Sequence, residues 1–431
     1  MTADLLIANA RYVLMADEKG AYLKDASIAI TDGRIVAVGD PVPARDIIDA
    51  SGCLVMPGLV NLHTHLPMTL LRGVAEDVDL QGFLERVWGE EARIMDADGV
   101  YAGARLGALE ALLSGTTTAL DMYFHPEAGH RGAAEVGLRH ITGPVFFSFP
   151  GPDGLEWPER MRRAAAWPAA LTEIGGPHVP AALMPHAAFT VGIDHLREIS
   201  ALAEQQGAMI TTHASENDRE NDDTIASTGM RPVAALETAG ILAHGPVLGH
   251  GVRIDSGERR LIAESGTAIA HCPGSNLKLA SGAADIVGYR TDGIRVGIGT
   301  DGCSSSNDLD MFAAMRLAAN LARLVTHDPA AVSARDIVAM ATLEGAAAVG
   351  LSDRIGTIEV GKEADLVVLD LRAPHLTPVH DPYTSVVFSA GRGDVRDVVV
   401  AGDVVVRDGH PTRVATDDVI DQASAVVEGV A

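Results

Sequence analysis

The pattern of apolar and polar positions changes character twice along the chain. Over residues 1–58, short runs with alternating apolar positions fall at 4–8, 12–15, 26–30, 34–38 and 53–56, and read as strands. Thr31-Asp32-Gly33-Arg34 supplies the turn chemistry of a hairpin between two of them. From Leu59 the texture becomes apolar strands separated by helical stretches. Strands are predicted at 59–63, 116–121, 141–147, 181–186, 208–213, 247–250, 267–271 and 295–301. Helices are predicted at 100–113, 130–139, 193–206, 232–239 and 257–265, followed by 309–324 and 334–348. The chain then returns to strands at 357–359, 365–369, 385–388, 395–400 and 404–407.

Eight strands alternating with helices point to a closed parallel barrel. The predicted architecture is therefore α/β: a (β/α)8 TIM-like barrel over residues 59–355. A small β-sandwich domain is expected from the two ends, 1–58 and 356–431.

The polar residues fall where such a barrel would use them. Leu59-Val60-Asn61-Leu62-His63-Thr64-His65 ends in two histidines separated by one residue. In an extended chain both imidazoles project to one side and can reach one ion. Alone, the triplet reads equally well as two polar residues at a strand end. The other strand ends decide the matter. Five of the eight end in histidine (His63, His186, His213, His250, His271), the second in Asp121 and the eighth in Asp301. The C-terminal strand ends of a barrel meet at one mouth, and buried histidines and carboxylates are costly unless paired or metal-bound. The pattern predicts one shared polar site.

Composition excludes more than it assigns. An apolar fraction of 47% with 21% charged residues is that of a globular chain rather than a disordered one. The balance of 58 acidic against 33 basic residues, a formal charge of −25, argues against nucleic-acid or anionic-membrane partners. Cys53, Cys272 and Cys303 have neither disulfide-framework nor zinc-ribbon spacing. With no leader-like start, a cytoplasmic location is expected. Gly297-Ile298-Gly299-Thr300-Asp301-Gly302 lacks the lysine of a phosphate loop, and Cys303 has no neighbouring histidine to activate it.

Five segments carry a family likeness: Asn61-Leu62-His63-Thr64-His65; His213-Ala214-Ser215-Glu216; Leu248-Gly249-His250-Gly251-Val252; His271-Cys272-Pro273-Gly274-Ser275-Asn276; and Gly299-Thr300-Asp301-Gly302. Together with Glu359-Val360-Gly361-Lys362-Glu363-Ala364-Asp365-Leu366, they resemble the amidohydrolase superfamily, in its branch of cyclic-amidine aminohydrolases. That branch holds methylthioadenosine/S-adenosylhomocysteine deaminases, guanine deaminases and triazine hydrolases. The resemblance runs over nearly the whole chain.

It implies that His63, His65, His213 and Asp301 hold one divalent ion per chain, Zn2+ first, with Fe2+ or Ni2+ as alternatives. Such an ion lowers the pKa of a water toward neutrality. The likeness makes His250 a hydrogen-bonding partner of that water, although it can also join the ligands. Asp301 would take the water's proton, and Glu216 would protonate the ring nitrogen beside the carbon under attack. Glu216 also reads as a carboxylate at a helix N-terminus. His186 stands where two-metal relatives carry a bridging lysine, which implies a single metal and a substrate contact.

Glu91, in Trp88-Gly89-Glu90-Glu91-Ala92, matches a ribose-binding glutamate. Here Gly89 replaces the family's proline, and Glu90 competes for the assignment. The loop 146–154 contains no basic residue to receive an amino-acid carboxylate, and Arg72 and Arg139 are the nearest in sequence. Asp121 and His125 sit near the second strand end with no motif to assign them.

The expected activity is hydrolytic deamination of an amino-substituted N-heteroaromatic ring, with adenosine or methylthioadenosine turned over better than S-adenosylhomocysteine. Guanine, pterins and s-triazines form the alternative substrates. A catalytically silent binding barrel is the alternative of a different class. A small heterocycle is the expected partner, and the likeness implies a homodimer.

Overall fold

The computed structural model describes residues 2–429. A nine-stranded mixed sheet is made from both ends of the chain. Its pivot is the strand Cys53–Pro57, which runs parallel to Ala3–Leu14 and antiparallel to Leu366–Asp370. Every residue of Cys53–Pro57 is buried, so both faces are covered and the strand reads as one unbroken apolar run. Two of the predicted runs, 4–8 and 12–15, are one strand, whose register shifts between Ile7 and Ala10. The strand Ala44–Asp49, which the sequence did not reveal, pairs parallel to it and is largely exposed.

The barrel strands form a four-strand and a six-strand parallel sheet. They join because two strands are each split. The predicted third strand, 141–147, is Arg139–Ile141, paired to Thr116–Asp121, and then Val145–Phe146, paired to Ala182–Pro185. Between them lie Gly143 and Pro144. A Cβ on Gly143 would meet the Ala182 carbonyl oxygen at 1.8 Å, and Pro144 has no N–H for a ladder. The predicted eighth strand, 295–301, is likewise Arg295–Ile298 on Ala268–His271, then Asp301–Gly302 on Thr64–His65. A Cβ on Gly299 would sit 2.9 Å from both Cys272 Sγ and the His63 carbonyl oxygen, so only glycine lets the chain step between partners there. This step closes the barrel.

Three predictions needed correction. Residues 385–388 belong to a helix, Pro382–Phe388, started by Asp381, whose side chain accepts from Thr384 N–H. Aspartate before proline is a helix N-terminus signal, and it overrides the β-branched run that follows. Residues 357–359 form no strand. The helix expected at 334–348 is two, Ala334–Met340 and Leu343–Ala348, broken at Thr342, which leaves helical geometry. The helices Leu80–Ile94, Trp157–Ile174 and Thr416–Glu428 were not anticipated.

Arg139 explains how the small sheet seats on the barrel. It is fully buried and bonds Asp365 at 2.9 and 3.0 Å and Glu363 at 2.7 Å. A buried guanidinium needs such paired carboxylates to offset its desolvation. No helix among the described residues is long and apolar enough to cross a membrane.

Candidate metal centre and substrate cleft

The strand ends converge as the barrel requires. His63 and His65 close the first strand, Leu59–His65, and both lie on one side of it. His213 sits near the end of Met209–Ala214, and His250 ends Val247–His250. His65 Nε2 is 3.1 Å from Asp301 Oδ1 and 3.4 Å from His213 Nε2, and His63 Nε2 is 3.6 Å from Asp301 Oδ1. Ligands about 2.05 Å from a tetrahedral cation lie about 3.3 Å from one another, so these atoms surround a volume of metal size.

The donor chemistry fits an ion as well. His65 Nδ1 donates to the Met122 carbonyl at 2.6 Å, and His213 Nδ1 donates to the His186 carbonyl at 2.7 Å. Each bond fixes the tautomer that leaves Nε2 as a lone-pair donor facing the centre. Both ring nitrogens of His63 are buried and have no hydrogen-bond partner. A fully buried imidazole without partners is costly unless a ligand satisfies it. Burial, then the neighbouring histidines, holds His63 and His213 well below their usual pKa, so both are neutral and able to ligate. Burial opposes protonation of His65 too, but the hydrogen bond and charge of Asp301 outweigh it and hold His65 near 9, so a cation ligated by its Nε2 takes the place of a proton there. Asp301 is correspondingly held well below the carboxylate range, with its other oxygen accepting Ser305 Oγ–H at 2.8 Å. A divalent-metal site of three histidines and one aspartate is present.

Three residues of the site hold strained backbone. Ser215, His250 and Asp301 take φ of 55°, 70° and 63°, the left-handed region that non-glycine residues avoid. At Ser215 the strain has a visible holder. Glu220, buried, accepts the N–H groups of Ser215 at 3.0 Å and Glu216 at 2.6 Å with its two oxygens. This grip turns Glu216 into the cleft rather than leaving it on the helix Asp218–Thr228, whose N-cap is Asn217. Glu216 Oε2 comes to 3.4 Å from His250 Nε2, and burial raises the Glu216 pKa despite the His250 charge. His250 Nδ1 bonds Asn276 Oδ1 at 3.0 Å.

Above this floor opens a cleft. His186 lines it, stacked on Phe147 with ring centroids 4.8 Å apart, and burial pushes its pKa down to about 3. Glu91 lines it too, while Glu90 is turned to solvent and pairs with Arg93. The placement follows from the helix Leu80–Ile94, whose buried stripe is Leu80, Phe83, Val87, Glu91 and Ile94. Glu91 takes an apolar position of a 3.6-residue repeat. Tyr123 Oη–H donates to its Oε1 at 2.7 Å, and its buried Oε2 has no partner. Burial lifts the Glu91 pKa to about 7 against that bond.

Not every strand-end residue joins the site. His271 is buried but does not line the cleft, and neither does Asp121. His125 lies in a separate crevice beside Arg160 and Arg163. Arg139 is committed to the small sheet, and Arg72 binds Glu110 and the Asn307 carbonyl. Cys272 and Cys303 are buried with raised pKa values, so neither is a nucleophile. Glu220, Tyr123 and Ser305 were missed by the sequence reading. Glu220 sits in an acidic run that reads as a solvated helix start, and the other two carry no motif.

Residues 54–405 match the Amidohydrolase family. The 5-methylthioadenosine/S-adenosylhomocysteine deaminase of Halobacterium salinarum is 43% identical over 377 residues, which are 87% of this chain and 86% of that protein. The crystal structure of an adenosine deaminase from Xanthomonas campestris with bound zinc has a TM-score of 0.95 at 35% identity, covering 100% of this chain and 99% of that one. An atrazine chlorohydrolase from Arthrobacter aurescens, in complex with zinc, has a TM-score of 0.91 at 26% identity, covering 98% of this chain and 100% of that one. With this ligand geometry and these relatives, the chain belongs to the amidohydrolase superfamily, in the branch of the methylthioadenosine/S-adenosylhomocysteine deaminases and triazine hydrolases, and is a metal-dependent hydrolase.

Proposed function

We propose that the protein is a mononuclear zinc-dependent deaminase of adenine nucleosides, with adenosine or methylthioadenosine preferred over S-adenosylhomocysteine. The observation that carries the nucleoside reading is the free oxygen of Glu91. A buried carboxylate with one oxygen held by Tyr123 and the other unpartnered suits a pair of vicinal hydroxyls, which would supply its missing donors. The relatives named as adenosine and methylthioadenosine deaminases support the same substrate class.

The ion held by His63, His65, His213 and Asp301 would supply Lewis-acid activation of a water. The remaining work falls to side chains. Asp301 Oδ1 accepts the proton that the water loses. Glu216, whose pKa burial raises, gives a proton to the ring nitrogen adjacent to the amino-bearing carbon. His250 faces the same point and orients the attacking oxygen. The new C–O bond forms, the exocyclic C–N bond breaks, and the amino group takes the proton collected by Asp301 and leaves as ammonia. The remaining proton of the added oxygen passes back to Glu216, which restores the acid and leaves the ring as the keto tautomer. His186, neutral and stacked on Phe147, contacts the substrate from the opposite wall.

Selectivity against S-adenosylhomocysteine rests on what lines the cleft. Phe83, Leu84, Val87, Trp88, Phe147 and Phe189 form its wall, and no arginine or lysine is among the described lining residues. A methylthio group suits that wall, whereas a homocysteine carboxylate would be desolvated without a guanidinium. An ammonia-release screen over adenosine, methylthioadenosine, S-adenosylhomocysteine, guanine, pterins and amino-triazines tests the reading by kcat/KM. Guanine or a triazine as best substrate, with turnover indifferent to Glu91→Ala, would refute it. The homodimer implied by the family likeness is checked separately by light scattering, where a concentration-independent monomer would reject it.

A further inference from the structure

Asp121 ends the second barrel strand, yet its side chain turns away from the cleft. It is 1% exposed, with Oδ1 accepting the Leu66 backbone N–H at 2.8 Å and Oδ2 at 2.8 Å from His140 Nε2. His140 Nδ1 faces His130 Nδ1 at 3.3 Å, and His130 Nε2 faces the Gly175 carbonyl at 3.0 Å. None of these three side chains has a part in the chemistry proposed above.

Matching donors to acceptors gives this array a single direction. The Gly175 carbonyl only accepts, so His130 Nε2 carries the hydrogen. His130 is neutral, because burial and the neighbouring His140 push its pKa down to about 4. Its Nδ1 is therefore the acceptor, and His140 Nδ1 donates to it. One further proton must lie between His140 Nε2 and Asp121 Oδ2. Both oxygens of Asp121 are thus engaged, one by the histidine pair and one by Leu66, and the carboxylate cannot rotate.

What it holds is the segment that carries a metal ligand. Leu66 follows His65 directly. On the other flank of His65, the Thr64 carbonyl accepts Met122 N–H at 3.0 Å, and the His65 ring itself donates to the Met122 carbonyl. Asp121 and Met122 therefore grip His65 from both sides of the backbone and by its ring. We propose that Asp121, locked in place by His140 and His130, is the positioning residue for the metal ligand His65. Without the carboxylate, Leu66 N–H is left buried and unpaired, and the backbone at His65 is free to relax away from the centre.

The test is zinc affinity of the purified full chain, measured by competition with a chromophoric chelator, with folding followed by thermal unfolding. Asp121→Ala and His140→Leu are expected to weaken zinc binding by about 10- to 100-fold. Asp121→Asn is expected to restore it, since its amide oxygen can accept from Leu66 while its NH2 donates to a neutral His140. That rescue separates positioning from a general loss of packing. The proposal is overturned if folded Asp121→Ala keeps the parent zinc affinity, or if Asp121→Asn is as weak as Asp121→Ala. Should Asp121→Ala not fold, His140→Leu decides in its place, and parent-like affinity in that variant overturns the proposal. The inference rests on His65 as a ligand. A His65→Ala control that still binds zinc at parent affinity would remove that premise, leaving the placement of Asp121 with nothing to position.

Discussion

The floor and the wall of the cleft are built on opposite principles. The floor consists of His63, His65, His213, His250 and Asp301, delivered by four strand ends, with the ligand atoms of His63, His65 and His213 and those of His63, His250 and Asp301 each within 4.8 Å of one another. All but His63 are fixed by a side-chain bond to another strand or loop, and two of them hold strained backbone. The wall is Phe83, Leu84, Val87 and Trp88 from one helix, with Phe147 from the loop after the third strand and Phe189 after the fourth. Its polar members are Glu91, Tyr123 and His186. Floors of this kind activate water for many substrates, whereas the wall decides which ring and which tail arrive there. Changes in the floor should therefore lower kcat for every substrate, and changes in the wall should redistribute kcat/KM among them.

The largest effect belongs to the floor. Glu216→Gln nearly preserves size but removes the transferable proton, so kcat should fall about 10²- to 10⁴-fold with zinc content unchanged. Elemental analysis alongside steady-state kinetics checks both parts, and a near-normal rate would assign the proton to another group. Glu220→Gln should fall in the same direction, by about 10- to 100-fold, because one of the two N–H bonds that aim Glu216 is lost. Its KM should stay close to the parent value, since Glu220 aims the acid without holding the ribose.

The wall should respond selectively. Glu91→Ala is expected to lower kcat/KM for adenosine and methylthioadenosine by about 10- to 100-fold, the range of one hydrogen bond to a charged group. Free bases lack the hydroxyls and should be unaffected. Equal losses on nucleosides and bases would mean that Glu91 supports the fold rather than the ribose, and the contrast between floor and wall would collapse.

The same contrast separates what the sequence disclosed from what it hid. Floor residues were legible because barrel topology gives strand ends a common destination, which gathered His63, His213, His250 and Asp301, while the histidine pair brought in His65 and the family likeness singled out the ligands. The same rule over-reached at His271 and Asp121, since it says where a strand ends but not which way its last side chain turns. The splits of the third and eighth strands were hidden because they depend on how closely Gly143 and Gly299 approach neighbouring backbone. The wall was nearly illegible. Its helix Leu80–Ile94 carries an apolar stripe interrupted at Glu91, and a carboxylate on that stripe lowers the very signal by which the helix would be recognised. Functional residues that break a pattern hide the element that bears them.

The smallest effect is one of stability, and it follows from that misplaced carboxylate. Burial raises the Glu91 pKa from near 4.5 to about 7, with the Tyr123 hydrogen bond opposing. Between those two values the folded protein binds a proton that the unfolded chain has released. The stabilisation this proton provides is complete below about pH 4.5 and is lost as pH rises through about 7. Above pH 7 the native state carries a buried charge with one unpartnered oxygen. Glu91→Gln stays neutral throughout, so its Tm relative to the parent should rise between pH 5 and pH 8 by about a few degrees, given the size of the chain. Comparing the difference between two proteins at each pH cancels the titration of all the groups they share. A difference that does not change with pH would mean that Glu91 is ionised, and already satisfied, across the whole range. If the difference does rise, the same substitution stabilises the fold at pH 8 while it weakens nucleoside turnover. That pairing is expected of a residue kept in an apolar wall for its substrate rather than for its packing.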